Sequence, residues 1–156
     1  MMNNTKVINV LIKKKISLSV AESCTGGMLA STITSVSGAS TIFNMGLITY
    51  SNEAKSKILK ISKKILYKYG AVSEECCFEM IKNLKKLSKS DVCISTTGIA
   101  GPNGGSFTKP VGTVFIGLYV KKKIIIKKYN FNSQLLRKSI QKKTCMQALK
   151  LMKKYI

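Results

Sequence analysis

The absence of histidine restricts the chemistry that this chain can perform. None of its 156 residues is histidine, which excludes serine–histidine and cysteine–histidine catalysis and any metal site with histidine ligands. The six acidic residues have no spacing that suggests a carboxylate cage for a metal. A hydrolytic reaction is therefore expected to depend on serine, threonine, cysteine, tyrosine or lysine, and we expect neither a metal nor a cofactor.

A serine and a lysine are candidates for such a reaction. Ser40 follows the small-residue turn Gly38-Ala39, and Lys55 lies in the first turn of a predicted helix. A serine nucleophile without histidine needs another base, and lysine can serve if its surroundings lower its pKa below the usual value of about 10.4. Tyr50 could relay the proton or hold the ammonium. Taken alone, these residues also fit an ordinary solvated surface.

Two glycine-rich segments are predicted to bind a small phosphorylated ligand. The first, Ala21–Gly27, follows a predicted strand and opens a helix, which points backbone N–H groups at an anion. The second, Thr97–Gly112, holds five of the eleven glycines and fits neither the dinucleotide fingerprint nor the P-loop spacing. An ordinary turn and a flexible surface loop remain the alternatives. The candidate ligand contacts are Ser23, Thr25, Gly26, Gly27, Thr97, Gly98, Ile99, Ala100, Gly101 and the single arginine, Arg137, which would otherwise lie on a solvated helix face.

The elements that must position these residues alternate along the chain. This alternation predicts an α/β fold with a mixed sheet covered on both faces. The last two strands are predicted to form a hairpin around a basic turn. The predicted helices cover 6–15, 28–36, 52–60, 62–68, 73–87 and 133–154, and the predicted strands cover 17–22, 43–50, 91–96, 111–120 and 123–131.

Composition and charge limit the remaining possibilities. The length predicts one domain over residues 1–156. The net charge of +21 comes from 27 basic residues that are scattered and almost all lysine, so we expect no specific nucleic-acid partner. The sequence shows neither a membrane-spanning stretch nor a signal peptide, and its five cysteines are expected to be reduced in the cytoplasm. It leaves open whether the chain forms a homo-oligomer.

These segments, taken together and in order, closely resemble the C-terminal domain family of the competence-damage-inducible protein CinA. The resemblance extends from about residue 5 to residue 155, and the matching stretches are AESCTGG, GAS, GLITYSNEAK, GAVSE, TTGIAGPNGG and KPVGTVFIGL. The family includes stand-alone nicotinamide-mononucleotide amidohydrolases. The resemblance implies a three-layer α/β/α fold. It also implies hydrolysis of nicotinamide mononucleotide to nicotinate mononucleotide and ammonia, without a metal.

The resemblance also implies roles for particular residues. It assigns catalysis to Ser40 and Lys55, with Tyr50 beside them, and assigns the ribose phosphate to the two glycine segments. Backbone amides near 38–40 or in 97–101 are then expected to stabilise the oxyanion of the tetrahedral intermediate. If Ser40 is not the nucleophile, the next candidates are Ser23, Cys24 and Thr25.

The resemblance weakens towards the C-terminus. The family often shows a Gly-Asp-Arg turn before the last helix and a second arginine one helical turn later. Here the turn corresponds to 132–137, and Gln141 stands at the second arginine position. A phosphate-facing charge is then lost or replaced by a lysine such as Lys138 or Lys142. The alternatives to an enzyme are a nucleotide-binding module without turnover and a basic protein that binds polyanions.

Overall fold

The structure, a computed structural model, describes residues 2–156, with side chains from Thr5 onward. A 3₁₀ turn, Ala39–Thr41, precedes the second strand. The helices are α1 (Met2–Lys14), α2 (Met28–Thr34), α3 (Asn52–Lys57), α4 (Lys63–Tyr69), α5 (Glu74–Ser88) and α6 (Arg137–Tyr155). The strands are β1 (Leu18–Glu22), β2 (Phe43–Ile48), β3 (Val92–Gly98), β4 (Thr113–Val120) and β5 (Lys123–Asn130).

The five strands form one mixed sheet in the order β2-β1-β3-β4-β5. Strand β1 runs parallel to both β2 and β3, whereas β4 is antiparallel to β3 and to β5. Helices α1, α2 and α6 pack on one face around a large apolar cluster, and α4 and α5 cover the other face. The predicted three-layer α/β/α arrangement with a mixed sheet and a final hairpin is therefore confirmed.

The ends of the elements follow from local sequence signals. Ser51 begins α3, because its hydroxyl accepts a hydrogen bond from the amide of Ala54 at 3.0 Å, and Ser73 caps α5 in the same way through Cys76 at 3.1 Å. Strand β1 is buried along its whole length, as expected of a central parallel strand with helices on both faces. No helix in the described part of the chain is long and apolar enough to cross a membrane.

The parallel strands bring three distant parts of the chain to one edge of the sheet. Glu22 at the end of β1 is in register with Ile48 at the end of β2 and with Thr96 near the end of β3. Carboxyl ends of neighbouring parallel strands meet at the same edge, where ligands of open α/β sheets bind. The residues that follow these strands therefore face one another.

Candidate active site

A buried lysine is the centre of this edge. Only 1% of the Lys55 surface is exposed. Its Nζ donates hydrogen bonds to Ser23 Oγ at 2.8 Å, to the Thr49 carbonyl at 2.8 Å and to the Tyr50 carbonyl at 3.2 Å. Among residues 5–156, no carboxylate lies within salt-bridge distance of this amine. Because burial removes water without supplying a counter-charge, it lowers the pKa of the Lys55 ammonium.

The three contacts of Lys55 set the direction of its lone pair once it is neutral. The two carbonyls can only accept hydrogen bonds, so they retain the two N–H groups that the neutral amine still has. The remaining lone pair then faces Ser23, whose hydroxyl can donate to it. Ser23 is itself 8% exposed, and its backbone N–H donates to the Thr96 carbonyl at 3.0 Å. The geometry is that of a serine nucleophile beside an amine base.

The turn that follows Ser23 is held by a carboxylate of the chain itself. The buried Glu22 accepts hydrogen bonds from the amides of Gly27 at 3.0 Å, Leu29 at 3.1 Å and Ala30 at 2.7 Å. These are the amides at the start of α2 that the sequence suggested for a phosphate. A carboxylate at a helix N-terminus is stabilised by the helix dipole, so Glu22 occupies that position.

This arrangement corrects part of the predicted ligand site. Gly26 and Gly27 adopt positive φ angles of 58° and 95° to form the turn, but they do not line the cavity next to Lys55. The hydroxyl of Thr25 is buried against that of Thr96 at 2.8 Å, so it is directed away from a ligand as well. Thr25, Gly26 and Gly27 therefore shape the Ser23 turn and lie outside the lining of this cavity.

We expect Glu22→Gln to destabilise the protein by about 1–3 kcal/mol. The amide would direct N–H groups at backbone N–H donors, which leaves at least one buried donor without an acceptor. The change is measured as the free energy of unfolding in urea. Glu53→Gln is the matched control, because Glu53 is 72% exposed and pairs only with Lys57; it should change stability by less than about 0.5 kcal/mol. Equal effects of the two substitutions would contradict this role of Glu22.

The structure does not bring Ser40 to Lys55. Ser40 is exposed on the 3₁₀ turn and is absent from the cavity lining. The turn precedes β2, whereas Lys55 follows it, and six strand residues span roughly 20 Å. The amide of Ala39 is already bonded to Val36. The structure therefore corrects the expected pairing, because Ser40 does not meet Lys55. It also places the oxyanion donors expected at 38–40 away from the cavity.

A cavity of about 250 Å³ opens next to Ser23 and Lys55. Its far wall is the second glycine segment, and the hydroxyl of Thr97 ties this wall to the Ala71 carbonyl at 2.7 Å. The lining includes two basic side chains, Lys55 and Arg137, and no acidic one, which suits an anionic ligand. The lining residues are Ser23, Cys24, Tyr50, Lys55, Ala71, Val72, Thr97, Gly98, Ile99, Ala100, Gly101, Asn103, Gly104 and Arg137.

Arg137 is held across the mouth of this cavity. Its guanidinium donates to the Gly101 carbonyl at 2.8 Å and to the Tyr50 hydroxyl at 2.6 Å. Two of its five N–H donors are thus used, and three remain for a ligand. The predicted contacts Thr97–Gly101 and Arg137 do lie together with Lys55. The Tyr50 hydroxyl contacts Arg137, and it is the backbone carbonyl of Tyr50 that contacts Lys55.

The sequence did not predict the contacts of two residues near Ser23, Cys24 and Gln141. Burial raises the pKa of the Cys24 thiol to about 12, so this cysteine is a poor nucleophile. The backbone N–H of Cys24 donates to no backbone carbonyl in the described part of the chain. Gln141 on α6 donates from Nε2 to the Cys24 carbonyl at 2.9 Å. Lys138 and Lys142 do not line the cavity.

The fold and the cavity together define an α/β protein with a buried serine–lysine pair at the carboxyl edge of its parallel strands. The family model of the CinA C-terminal domain matches residues 2–156, and the chain therefore belongs to the CinA C-terminal domain family.

Relatives and solved structures agree with this assignment. A CinA-like protein of Thermotoga maritima is 47% identical over 150 residues, which are 96% of this chain and 36% of that protein. The crystal structure of the competence/damage inducible protein CihA from Agrobacterium tumefaciens matches with a TM-score of 0.92 at 29% identity, over 97% of this chain and 94% of that one. A CinA superfamily protein from Escherichia coli matches with a TM-score of 0.91 at 30% identity, over 98% and 88% of the two chains. The chain spans about a third of the length of the curated relatives it matches.

Proposed function

We propose that this chain is an amidohydrolase that converts nicotinamide mononucleotide to nicotinate mononucleotide and ammonia, with Ser23 as nucleophile and Lys55 as base. The observation that carries the proposal is the 2.8 Å contact between Ser23 Oγ and the buried, uncompensated Lys55 amine. The proposed enzyme acts as a single cytoplasmic domain over 1–156 on a small-molecule nucleotide. No step requires a metal or cofactor.

The proposed reaction begins with neutral Lys55. The amine takes the Ser23 hydroxyl proton as Oγ attacks the carboxamide carbon, and a tetrahedral intermediate forms. The C–N bond then breaks, and the Lys55 ammonium returns the proton to the leaving nitrogen, which departs as ammonia. Water next attacks the acyl-enzyme ester with Lys55 again as base. Collapse of the second intermediate releases the carboxylic acid and returns a proton to Ser23 Oγ.

Two further groups support this assignment. The backbone N–H of Cys24 follows the proposed nucleophile directly and donates to no backbone carbonyl within residues 5–156, so we assign it as an oxyanion donor. Removing one such donor typically costs roughly 10²–10³ in rate. Arg137 is the other basic side chain of the cavity, and we assign its free N–H groups to the phosphate of the mononucleotide.

The proposal is tested by incubating the purified protein with nicotinamide mononucleotide and measuring ammonia and nicotinate mononucleotide. We expect the two products in equal amounts. Nicotinamide riboside, which lacks the phosphate, should react about 10–100-fold less efficiently, because it loses charge-assisted hydrogen bonds to Arg137. Binding of the mononucleotide without ammonia release would identify a nucleotide-binding module instead. No binding of the mononucleotide, with strongly salt-dependent binding to nucleic acid, would identify a polyanion-binding protein.

A further inference from the structure

One long segment of this chain carries no charge at all. No charged residue lies between Glu22 and Glu53, although 21% of the residues in the chain are charged and its net charge is +21. The segment contains α2, the 3₁₀ turn and β2. Its surface is instead built from small polar and apolar side chains. A gap of this length in so basic a sequence requires an explanation.

The uncharged segment forms one continuous surface. Helix α2 lies against β2: a Cβ placed on Gly46 would be 3.5 Å from Ala30, and one on Gly27 would be 3.0 Å from Ile48. Ile48 keeps 55% of its surface exposed. We call this surface the neutral face; its exposed residues are Ser31, Thr34, Ser35, Ser37, Gly38, Ser40, Thr41, Asn44, Gly46 and Ile48.

The neutral face ends in an unpaired strand edge. Strand β2 is the outermost strand of the sheet and pairs only with β1. Edge strands are normally protected by lysine, proline or bulges against pairing with another chain. The opposite edge strand, β5, carries Lys123, Lys127 and Lys128. Strand β2 has the sequence FNMGLI, without a charge or a proline.

We propose that the neutral face is an interface with a second copy of this chain, formed around the β2 edge. Two copies of a protein with a net charge of +21 repel each other wherever lysines are apposed. The neutral face lets two copies meet without such repulsion, because none of its exposed residues is charged. Protein interfaces are also depleted of lysine and acidic residues at their centres. This inference is independent of the proposed reaction.

A twofold axis makes the same edge complementary to itself. Two β2 strands related by such an axis run antiparallel, so the free N–H and C=O groups of each strand pair with those of the other. The pairing would join two five-stranded sheets into one continuous sheet. The residues of this interface are distinct from Ser23 and Lys55, so charge introduced on the neutral face tests assembly without touching the cavity.

Sedimentation velocity over a range of protein concentrations measures this association. We expect wild type to be dimeric and both Asn44→Lys and Asn44→Asp to weaken the dimer at least about tenfold, because each adds like charges from both copies to the interface. Asn44 also donates to Ser90 Oγ at 3.1 Å within its own chain, so the fold of each variant is checked by circular dichroism. Asn130→Lys is the matched control: it makes the same change at an exposed position of β5 and should leave the dimer intact. If Asn44 variants fold poorly by circular dichroism, Ser31→Lys on the exposed side of α2 replaces them.

Salt provides a second measurement of the same interface. The charges elsewhere on the two copies repel, so raising the salt concentration should strengthen the dimer. Assembly through bridging polyanions would respond in the opposite way. A wild-type monomer at every concentration, a dimer that resists both Asn44 substitutions, or a dimer lost equally with Asn130→Lys would overturn the proposal.

Discussion

We expect Ser23→Ala to lower the rate of ammonia release from nicotinamide mononucleotide by at least about 10³-fold, while Ser40→Ala retains wild-type turnover. Loss of a serine nucleophile leaves only the contributions of binding and of the oxyanion donors. Ser23 contacts the Lys55 amine at 2.8 Å, whereas Ser40 is exposed at the opposite end of β2. The measurement is the steady-state rate of ammonia formation at saturating substrate.

Cys24→Ala is the control for this experiment. Cys24 lines the same cavity, but burial raises the pKa of its thiol to about 12, so little thiolate exists near neutral pH. We expect this variant to keep most of the activity. Isothermal titration with nicotinamide mononucleotide should show that Ser23→Ala still binds substrate. A Ser23→Ala enzyme with normal turnover, or a Cys24→Ala enzyme with none, would contradict the assignment of the nucleophile.

The choice between Ser23 and Ser40 depends on strand order, which the sequence did not reveal. Both serines follow or lie within small-residue segments, and Ser40 is nearer to Lys55 along the chain. The deciding fact is that β1 and β2 are parallel neighbours. Their carboxyl ends then bring the residue after β1 close to the helix after β2. The usable signal was the position of Ser23 directly after a predicted strand.

The first glycine segment was interpreted correctly as a strand–turn–helix and incorrectly as a phosphate cradle. The glycines indicated a tight turn, and Gly26 and Gly27 do adopt the positive φ angles that residues with a side chain disfavour. Glycine content does not reveal what accepts the free amides. Glu22, one residue before the proposed nucleophile, supplies that acceptor. A buried carboxylate at the end of a strand can thus remove an anion site that the glycines suggest.

Gln141 shows how the departure from the family pattern is accommodated. The family resemblance led us to expect an arginine at this position, and its absence raised the question of phosphate binding. In the structure the Gln141 amide donates to the Cys24 carbonyl at 2.9 Å, which links α6 to the turn that carries Ser23. Arg137 remains at the cavity mouth. In the proposed reaction, Arg137 is therefore the one arginine that can bind the phosphate.

We expect Lys55→Met to lower ammonia release by roughly 10²–10⁴-fold, the usual contribution of a general base. Methionine fills the buried space of the Lys55 stem without a titratable group. The loss should fall on kcat more than on KM, because Arg137 and the glycine loop still hold the substrate. Lys57→Met is the control; Lys57 is 74% exposed and contacts only Glu53, so its activity should be unchanged. Full activity of Lys55→Met would exclude Lys55 as the base.

The same substitution should also change how stability depends on pH. Burial lowers the pKa of Lys55 in the folded state below its ordinary value of 10.5. Between these two pKa values the unfolded chain binds more protons than the folded one, so the stability of wild type rises with pH in that window. Lys55→Met lacks this contribution, while the other lysines titrate alike in both proteins.

The stability of wild type minus that of the variant should therefore be constant below the folded-state pKa and increase as the pH rises towards 10.5. Urea unfolding of both proteins at a series of pH values measures this difference. A difference that stays flat over the whole range would mean that Lys55 titrates normally in the folded protein. A lysine with an ordinary pKa is almost entirely protonated at neutral pH, so it could not accept the Ser23 proton.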